Sequence, residues 1–248
     1  MTARVSVDVS ADLGEGFPND TALLDLVTSA SIACGMHAGD RATMVATMRE
    51  AAQRGVAIGA HPSYRDRAGF GRREIGATPA AIAADVAEQV ELAAAAALDA
   101  GARIRFVKPH GALYTRVQHD AEAAAAVFDG IDRVLPGLPV YAMPHGCIPR
   151  LHPARVIAEG FPDRGYAPDR SLLHRGVSGA VIDDPASAGA RAVSLARGEG
   201  VDAADGTRVV FRLQSLCVHG DEPAAVRSAS AIRRALADAG VAVAAAVP

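Results

Sequence analysis

Phe106-Val-Lys-Pro-His-Gly-Ala-Leu-Tyr114 decides how this chain is read. An apolar run beginning at Ile104 ends at Val107, and Lys108 and His110 follow at once around Pro109. Lys108 is the only lysine: of 25 lysine plus arginine residues, the other 24 are arginine. Such a chain uses arginine wherever a generic positive charge suffices. The ammonium it retains is a compact donor with a tunable pKa, which a wide, always-charged guanidinium does not replace. Lys108 therefore marks a site. With the backbone still extended, Lys108 and His110, two apart, point the same way, and a cation beside the ring favours a neutral imidazole, useful as a base.

Outward from this stretch the same unit recurs. Short apolar runs at Val5 to Ser10, Ser31 to Cys34, Val56 to Ala60, Ile104 to Val107, Val140 to Met143, Val156 to Ala158 and Val209 to Val218 alternate with longer helical segments, which predicts a parallel sheet. Asp40 caps a helix closing before Gly55. Thr78-Pro79 opens an alanine-rich helix closing before Gly101, and Asp184-Pro185 and Asp221 with Pro223 open two more, ending near Gly198 and Gly240. Polar residues follow the strands: Asp12 and Glu15, His37 and Asp40, His61, Lys108 and His110, Asp163 and Arg164, His219 and Asp221. Four of the eight histidines stand directly after strands. In a parallel β/α barrel of the TIM type these positions meet on one rim, at the C-terminal ends of the strands. Seven runs predict seven strands, or an incomplete set of eight.

At 248 residues, half of them hydrophobic, the chain has the length for one barrel domain spanning 1–248. A net charge of -3 without a basic, aromatic-interleaved stripe excludes nucleic acid as a partner. No apolar stretch reaches membrane-spanning length, and the start lacks an apolar targeting core, so a soluble, cytoplasmic protein is expected, with no membrane partner. Cys34, Cys147 and Cys217 have no CxxC spacing and fit a reducing compartment. Cys34 and Cys217 read as small buried thiols.

DVSADLGEG (Asp8 to Gly16), SASIACGMHAGD (Ser29 to Asp40), GVAIGAHPSYRDRAGFGRRE (Gly55 to Glu74), VKPHGALY (Val107 to Tyr114), EGFPDRGY (Glu159 to Tyr166) and CVHGD (Cys217 to Asp221) run through nearly the whole chain. Together they resemble the LamB/YcsF family. The resemblance implies a seven-stranded parallel barrel of the glycoside hydrolase/deacetylase type. It also implies a part in ATP-dependent 5-oxoprolinase activity, the hydrolytic opening of the 5-oxo-L-proline lactam to L-glutamate, together with two other subunits, B and C. A homo-oligomer is compatible with it. Ser10 and Ser31 stand where the family usually has Asn, Met36 where it usually has Phe, and Thr115 where Asn often follows the Tyr. The stretch Tyr141 to Pro153 does not align, so His145 and His152 inherit no role.

Opening a stable lactam requires water, a base and a cationic clamp. Asp12, Glu15, His61, Lys108 and His110 are the catalytic candidates. Crowded carboxylates raise one another's pKa, which would suit Asp12 and Glu15. His37, Asp40, Arg72, Asp163, Arg164, His219 and Asp221 are candidates for holding substrate. Asp40 reads first as a helix cap, Asp221 shares that reading, and Asp163 with Arg164 reads also as a surface ion pair. Among Arg65, Arg67, Arg72 and Arg73, the Gly-Phe-Gly before Arg72 favours turning that residue inward. Asp12, His37 and His61 also resemble the set that binds a divalent ion in deacetylase-type barrels. There is no GxxxxGK[ST] motif, so ATP, the cofactor of the complex, is expected to be handled largely by the partner subunits. Three functions fit these residues: a 5-oxoprolinase subunit, a free-standing metal-dependent amide or sugar deacetylase, and a non-catalytic scaffold.

Overall fold

The computed structural model describes residues 5–219 and 224–247. In chain order it comprises β1 (Ser6–Leu13), α1 (Asp20–Leu24), β2 (Ser29–Ala33), α2 (Arg41–Gln53), β3 (Ala57–His61), α3 (Pro79–Asp99), β4 (Phe106–Val107), α4 (Gly111–His119), α5 (Ala121–Asp132), β5 (Val140–Ala142), α6 (Cys147–Leu151) and β6 (Val156–Gly160). There follow α7 (Pro185–Ala196), β7 (Val201–Asp202), β8 (Arg208–Val209), β9 (Ser215–His219), α8 (Ala225–Asp238) and β10 (Ala242–Val243). β1, β2, β3, β4, β5, β6 and β9 pair in parallel, and β9 returns to β1 through Asp8↔Ser215 to Asp12↔His219. The barrel is therefore closed with seven strands. β10 adds a short parallel pairing at the start of β1.

Helix punctuation works through identifiable bonds. Asp40 accepts from the Thr43 amide to start α2, Thr78 caps α3 before Pro79, and Asp184 accepts from the Ser187 amide ahead of Pro185 in α7. Asp120 accepts from the Glu122 and Ala123 amides and opens α5, a helix the sequence pattern left unmarked. The expected cap at Asp221 lies outside the described residues.

The run Val209 to Val218 is not one strand. Arg208–Val209 forms an antiparallel hairpin with Val201–Asp202 away from the barrel, and only Ser215–His219 joins it. Apolar character continues across the break because Phe211 is buried against Tyr166 and Leu213 packs over Gly160. The run thus has one periodicity but two partners.

Apolar packing divides into two parts. The larger fills the shell between strands and helices, with Leu13, Ile32, Met48, Val86, Val127 and Ile232 all buried. The smaller comprises Phe106, Tyr141, Ile157 and Val247, closing the inside of the barrel at its lower end. Gly59 makes room for it, since a Cβ there would lie 2.2 Å from the Phe106 ring. Beside it, Asp8 accepts hydrogen bonds from Thr28, Ser29, Tyr141 and Ser215. This floor supports the polar layers above it. Among the described residues, no helix is long and apolar enough to cross a membrane.

Candidate active site at the C-terminal rim

Strand alternation fixes which side chains reach the rim. In β1 it aligns Asp8, Ser10 and Asp12 on one face, and in β9 Ser215, Cys217 and His219. Asp8 and Ser10 meet Ser215 inside the barrel, so Asp12 and His219, which are paired in register, lie above them on the same face. A cavity of about 460 Å³ opens above them.

Lys108 is the centre of the lower layer. Its Nζ donates to Asp12 Oδ1 at 2.8 Å and Oδ2 at 3.1 Å, lies 3.0 Å from Cys217 Sγ, and is 3.4 Å from Glu159 Oε2. Burial opposes the charge on Lys108, but Asp12, Cys217 and Glu159 together hold its pKa well above the usual lysine value. Burial likewise opposes ionisation of Asp12. His61 and Lys108 outweigh it and hold that carboxyl well below its usual range. The mutual elevation expected for Asp12 and Glu15 therefore does not operate on Asp12. Glu159 responds differently: burial raises it, and Lys108 offsets that only in part.

Glu15 turns to the upper layer, where His37, His61 and His110 meet. His37 Nε2 lies 3.1 Å from Glu15 Oε1, His110 Nδ1 is 3.0 Å from His61 Nε2, and the His37 and His110 rings stack with centroids 3.8 Å apart. Burial, then the neighbouring His61, pushes His37 down to about 2. Burial together with His37 and His61 holds His110 well below the usual imidazole range. His110 is thus a neutral imidazole, as expected, but for a different reason. Lys108 reaches away from it toward Asp12, so solvent exclusion and the adjoining rings set its state.

His219 is oriented from behind. Asp163 Oδ2 accepts from the His219 amide at 3.0 Å and from its Nδ1 at 2.9 Å. Burial raises the Asp163 carboxyl, while His219 lowers it by more. Asp163 and Arg164 are not a surface pair: both are buried, and Arg164 donates to the Ala180 and Leu173 carbonyls, fastening residues 172–181 beside the cavity. Leu172, Leu173, His174 and Arg175 from that segment line the cavity, as do Arg164 and Arg72.

The arginine-rich loop sorts itself by partner. Arg65 pairs with Asp85 and Glu88, Arg67 donates to the Gly35 and Gly39 carbonyls, and Arg73 pairs with Asp66. Arg72 instead sits over the Phe70 ring and lines the cavity. Asp40 is exposed at the head of α2, where its carboxylate serves the cap and not the cavity. Asp221 lies outside the described residues.

Three participants escaped the sequence reading. Glu159 and Cys217 touch Lys108, and Tyr114 lines the cavity. Glu159 follows Ile157 at the period of two in β6, so a strand drawn two residues longer reveals it. Cys34 is the space-filling thiol expected: it is buried, and burial pushes its thiol up to about 12.

Fold and site together define a seven-stranded β/α barrel whose chemistry-bearing side chains converge on one cavity at the strand C-termini. The chain belongs to the LamB/YcsF family, whose model matches residues 7–248. It is 47% identical over 247 residues to a Streptomyces avermitilis protein named as the A subunit of 5-oxoprolinase, covering 96% of this chain and 99% of that one. The crystal structure of a "Lactam Utilization Protein" from Thermus thermophilus superposes with a TM-score of 0.89 at 38% identity, covering 97% of this chain and 99% of that chain. A family 4 carbohydrate esterase from Streptomyces lividans shares the fold, with a TM-score of 0.54 at 11% identity, covering 96% and 91%.

Proposed function

We propose that this chain is a subunit of an ATP-dependent 5-oxoprolinase and takes part, with partner subunits B and C, in hydrolytic opening of the 5-oxo-L-proline lactam to L-glutamate. The observation that carries this is the match, across almost the full length of both chains, to a relative named as the A subunit of 5-oxoprolinase.

The cavity suits such a substrate. Arg72, Lys108, Arg164 and Arg175 line it with Asp12 as its one carboxylate, among the described residues. That balance attracts the carboxylate of 5-oxoproline and stabilises negative charge developing on the ring oxygen. Opening must be driven, because the lactam is a stable amide and the open amino acid tends to close. ATP supplies the drive through phosphorylation of the lactam oxygen, which makes the ring carbon electrophilic. Water then adds to that carbon, and the ring C–N bond breaks as the nitrogen is protonated and leaves as the amine. A second water hydrolyses the resulting acyl phosphate to glutamate and inorganic phosphate, ATP having departed as ADP. The proton of the first water needs an acceptor. His219 meets the requirement: its Nδ1 is engaged by Asp163, leaving Nε2 for proton transfer in a cavity it lines. Asp12 acts differently, holding Lys108 as an ammonium. Glu15, His37, His61 and His110 also offer a donor set suited to a divalent ion, which would polarise an oxygen in the cavity.

The test is glutamate release from 5-oxoproline and ATP by this chain alone, by subunits B and C alone, and by the mixture. Release only in the mixture is expected. A mixture no faster than B and C alone would overturn the assignment.

A further inference from the structure

The four side chains of the upper layer converge in a way that their own hydrogen bonds do not satisfy. His61 Nδ1 lies 2.7 Å from the Lys108 carbonyl oxygen, and His110 Nε2 lies 2.9 Å from the Phe70 carbonyl oxygen. A carbonyl only accepts, so each of those ring nitrogens carries a proton. Their opposite nitrogens, His61 Nε2 and His110 Nδ1, face each other at 3.0 Å. In the neutral tautomers both are lone pairs, and two buried acceptors at that distance need a positive charge between or beside them. His37 Nε2 donates to Glu15, which leaves its buried Nδ1 without a partner, and the His61 and His110 pair is the second unsatisfied contact of the layer.

The donor atoms also have the spacing of a coordination sphere. Glu15 Oε1 lies 3.1 Å from His37 Nε2, 3.4 Å from His110 Nδ1 and 3.9 Å from His61 Nε2, and all four atoms fall within 4.8 Å of one another. Ligands about 2.0–2.1 Å from a tetrahedral ion are about 3.4 Å apart, which these separations bracket. The Lys108 and Phe70 carbonyls fix two of the rings through their outer nitrogens, as backbone acceptors do behind metal-bound histidines.

We propose that Glu15, His37, His61 and His110 form a binding site for a divalent transition-metal ion of the zinc class. Three imidazole nitrogens and one carboxylate oxygen match the preference of such ions over calcium or magnesium. The site borders the cavity, since His61 and His110 line it. Asp12 Oδ2 lies 3.4 Å from His61 Nε2, but Asp12 is not one of the four converging residues and both its oxygens are engaged by Lys108. The geometry stands without the lactam assignment, so a failure of glutamate release leaves it intact.

The experiment strips the purified full-length chain with a chelator and titrates it separately with Zn²⁺ and Co²⁺. Calorimetry measures stoichiometry, visible absorption reports cobalt geometry, and thermal unfolding reads the stabilisation that a ligand of the folded state confers. One ion per chain is expected, with tetrahedral-type cobalt bands and a raised Tm. Glu15→Gln and His110→Ala are expected to weaken binding by about a hundredfold or more, while His145→Ala, outside the cluster, leaves it unchanged. Circular dichroism of the stripped variants separates loss of ligand from loss of fold. Wild-type protein with no stoichiometric ion and an unmoved Tm at saturating metal would overturn the proposal and leave a shared proton between His61 and His110. Equal binding by the Glu15→Gln/His110→Ala double variant would overturn it as well.

Discussion

Replacing Lys108 by methionine removes a charge that two buried carboxylates face. Asp12 Oδ1 is 2.8 Å and Glu159 Oε2 is 3.4 Å from its Nζ, and all three side chains are buried. Removing one partner of a buried ion pair costs about 3–5 kcal/mol, mostly because the remaining charge loses compensation. At about 2–4 °C per kcal/mol for a chain of this size, the Tm at neutral pH should fall by roughly 6–20 °C. The pH dependence has a definite sign. Asp12 is depressed in the folded wild type, so its contribution is complete above the ordinary carboxylate pKa and is lost as pH falls through the depressed folded value. Without Lys108, burial still raises this carboxyl while one of the groups that lower it is gone, so its folded pKa moves up and protonation becomes easier in acid. The deficit of Lys108→Met should therefore be largest at pH 7 and shrink toward pH 4. Asp12→Asn added to Lys108→Met should recover much of it, because a neutral amide no longer needs the ammonium. Urea unfolding of the wild type, both single variants and the double variant at pH 7 and pH 4 measures the cycle. A Lys108→Met variant as stable as wild type at pH 7, or a deficit that grows in acid, would refute this account of the barrel interior.

Asp163→Asn should keep the fold but release His219 from its orientation, lowering glutamate release by the assembled enzyme about 10²-fold or more; Asp163→Asn/His219→Ala should be no worse than His219→Ala alone. Gly71→Ala should destabilise by about 1–2 kcal/mol from backbone strain alone, since φ there is 65°. It should also disturb the histidine layer, because the added Cβ would lie 2.9 Å from the His110 ring and 3.0 Å from His37 Cβ; equilibrium unfolding and imidazole NMR shifts read the two effects. Asp40→Ala should loosen α2 slightly and leave turnover unchanged, because its carboxylate accepts from the Thr43 amide; a large rise in KM would return Asp40 to the site.

The barrel was legible because each unit carries its own punctuation. Apolar runs of strand length, capping residues and glycine stops recur in one order, and each strand points its last polar residues at the rim. Legibility failed where local pattern and tertiary pairing part company. Val209 and Val218 belong to one apolar run but to different sheets, since pairing with Val201 and with the barrel is decided by distant residues. The site followed the same rule. Asp12, His61, Lys108 and His219 were found from their positions after strands, while Glu159 was hidden by ending β6 at Ala158. Which side chains face which is not local information. Lys108 and His110 are two apart, yet one joins Asp12 and Glu159 while the other joins His37 and His61.

That division also accounts for the single lysine. The three N–H groups of a tetrahedral ammonium can spread toward three acceptors, and Lys108 Nζ has Asp12, Glu159 and Cys217 around it. A guanidinium presents its donors in a plane and is larger, so it would reach one carboxylate bidentately and displace the others. The arginines sit where their planar form is useful: Arg65 forks between two acids, Arg67 takes two carbonyls, Arg164 ties two backbone segments, and Arg72 lies over an aromatic ring. Only the closed interior of the barrel demands a point charge. Its occupant, together with His61, keeps Asp12 ionised and holds that carboxylate in the lower layer. Glu15 is the carboxylate that reaches all three histidines, at 3.1 Å from His37 Nε2, 3.4 Å from His110 Nδ1 and 3.9 Å from His61 Nε2, the arrangement from which the proposed metal site follows.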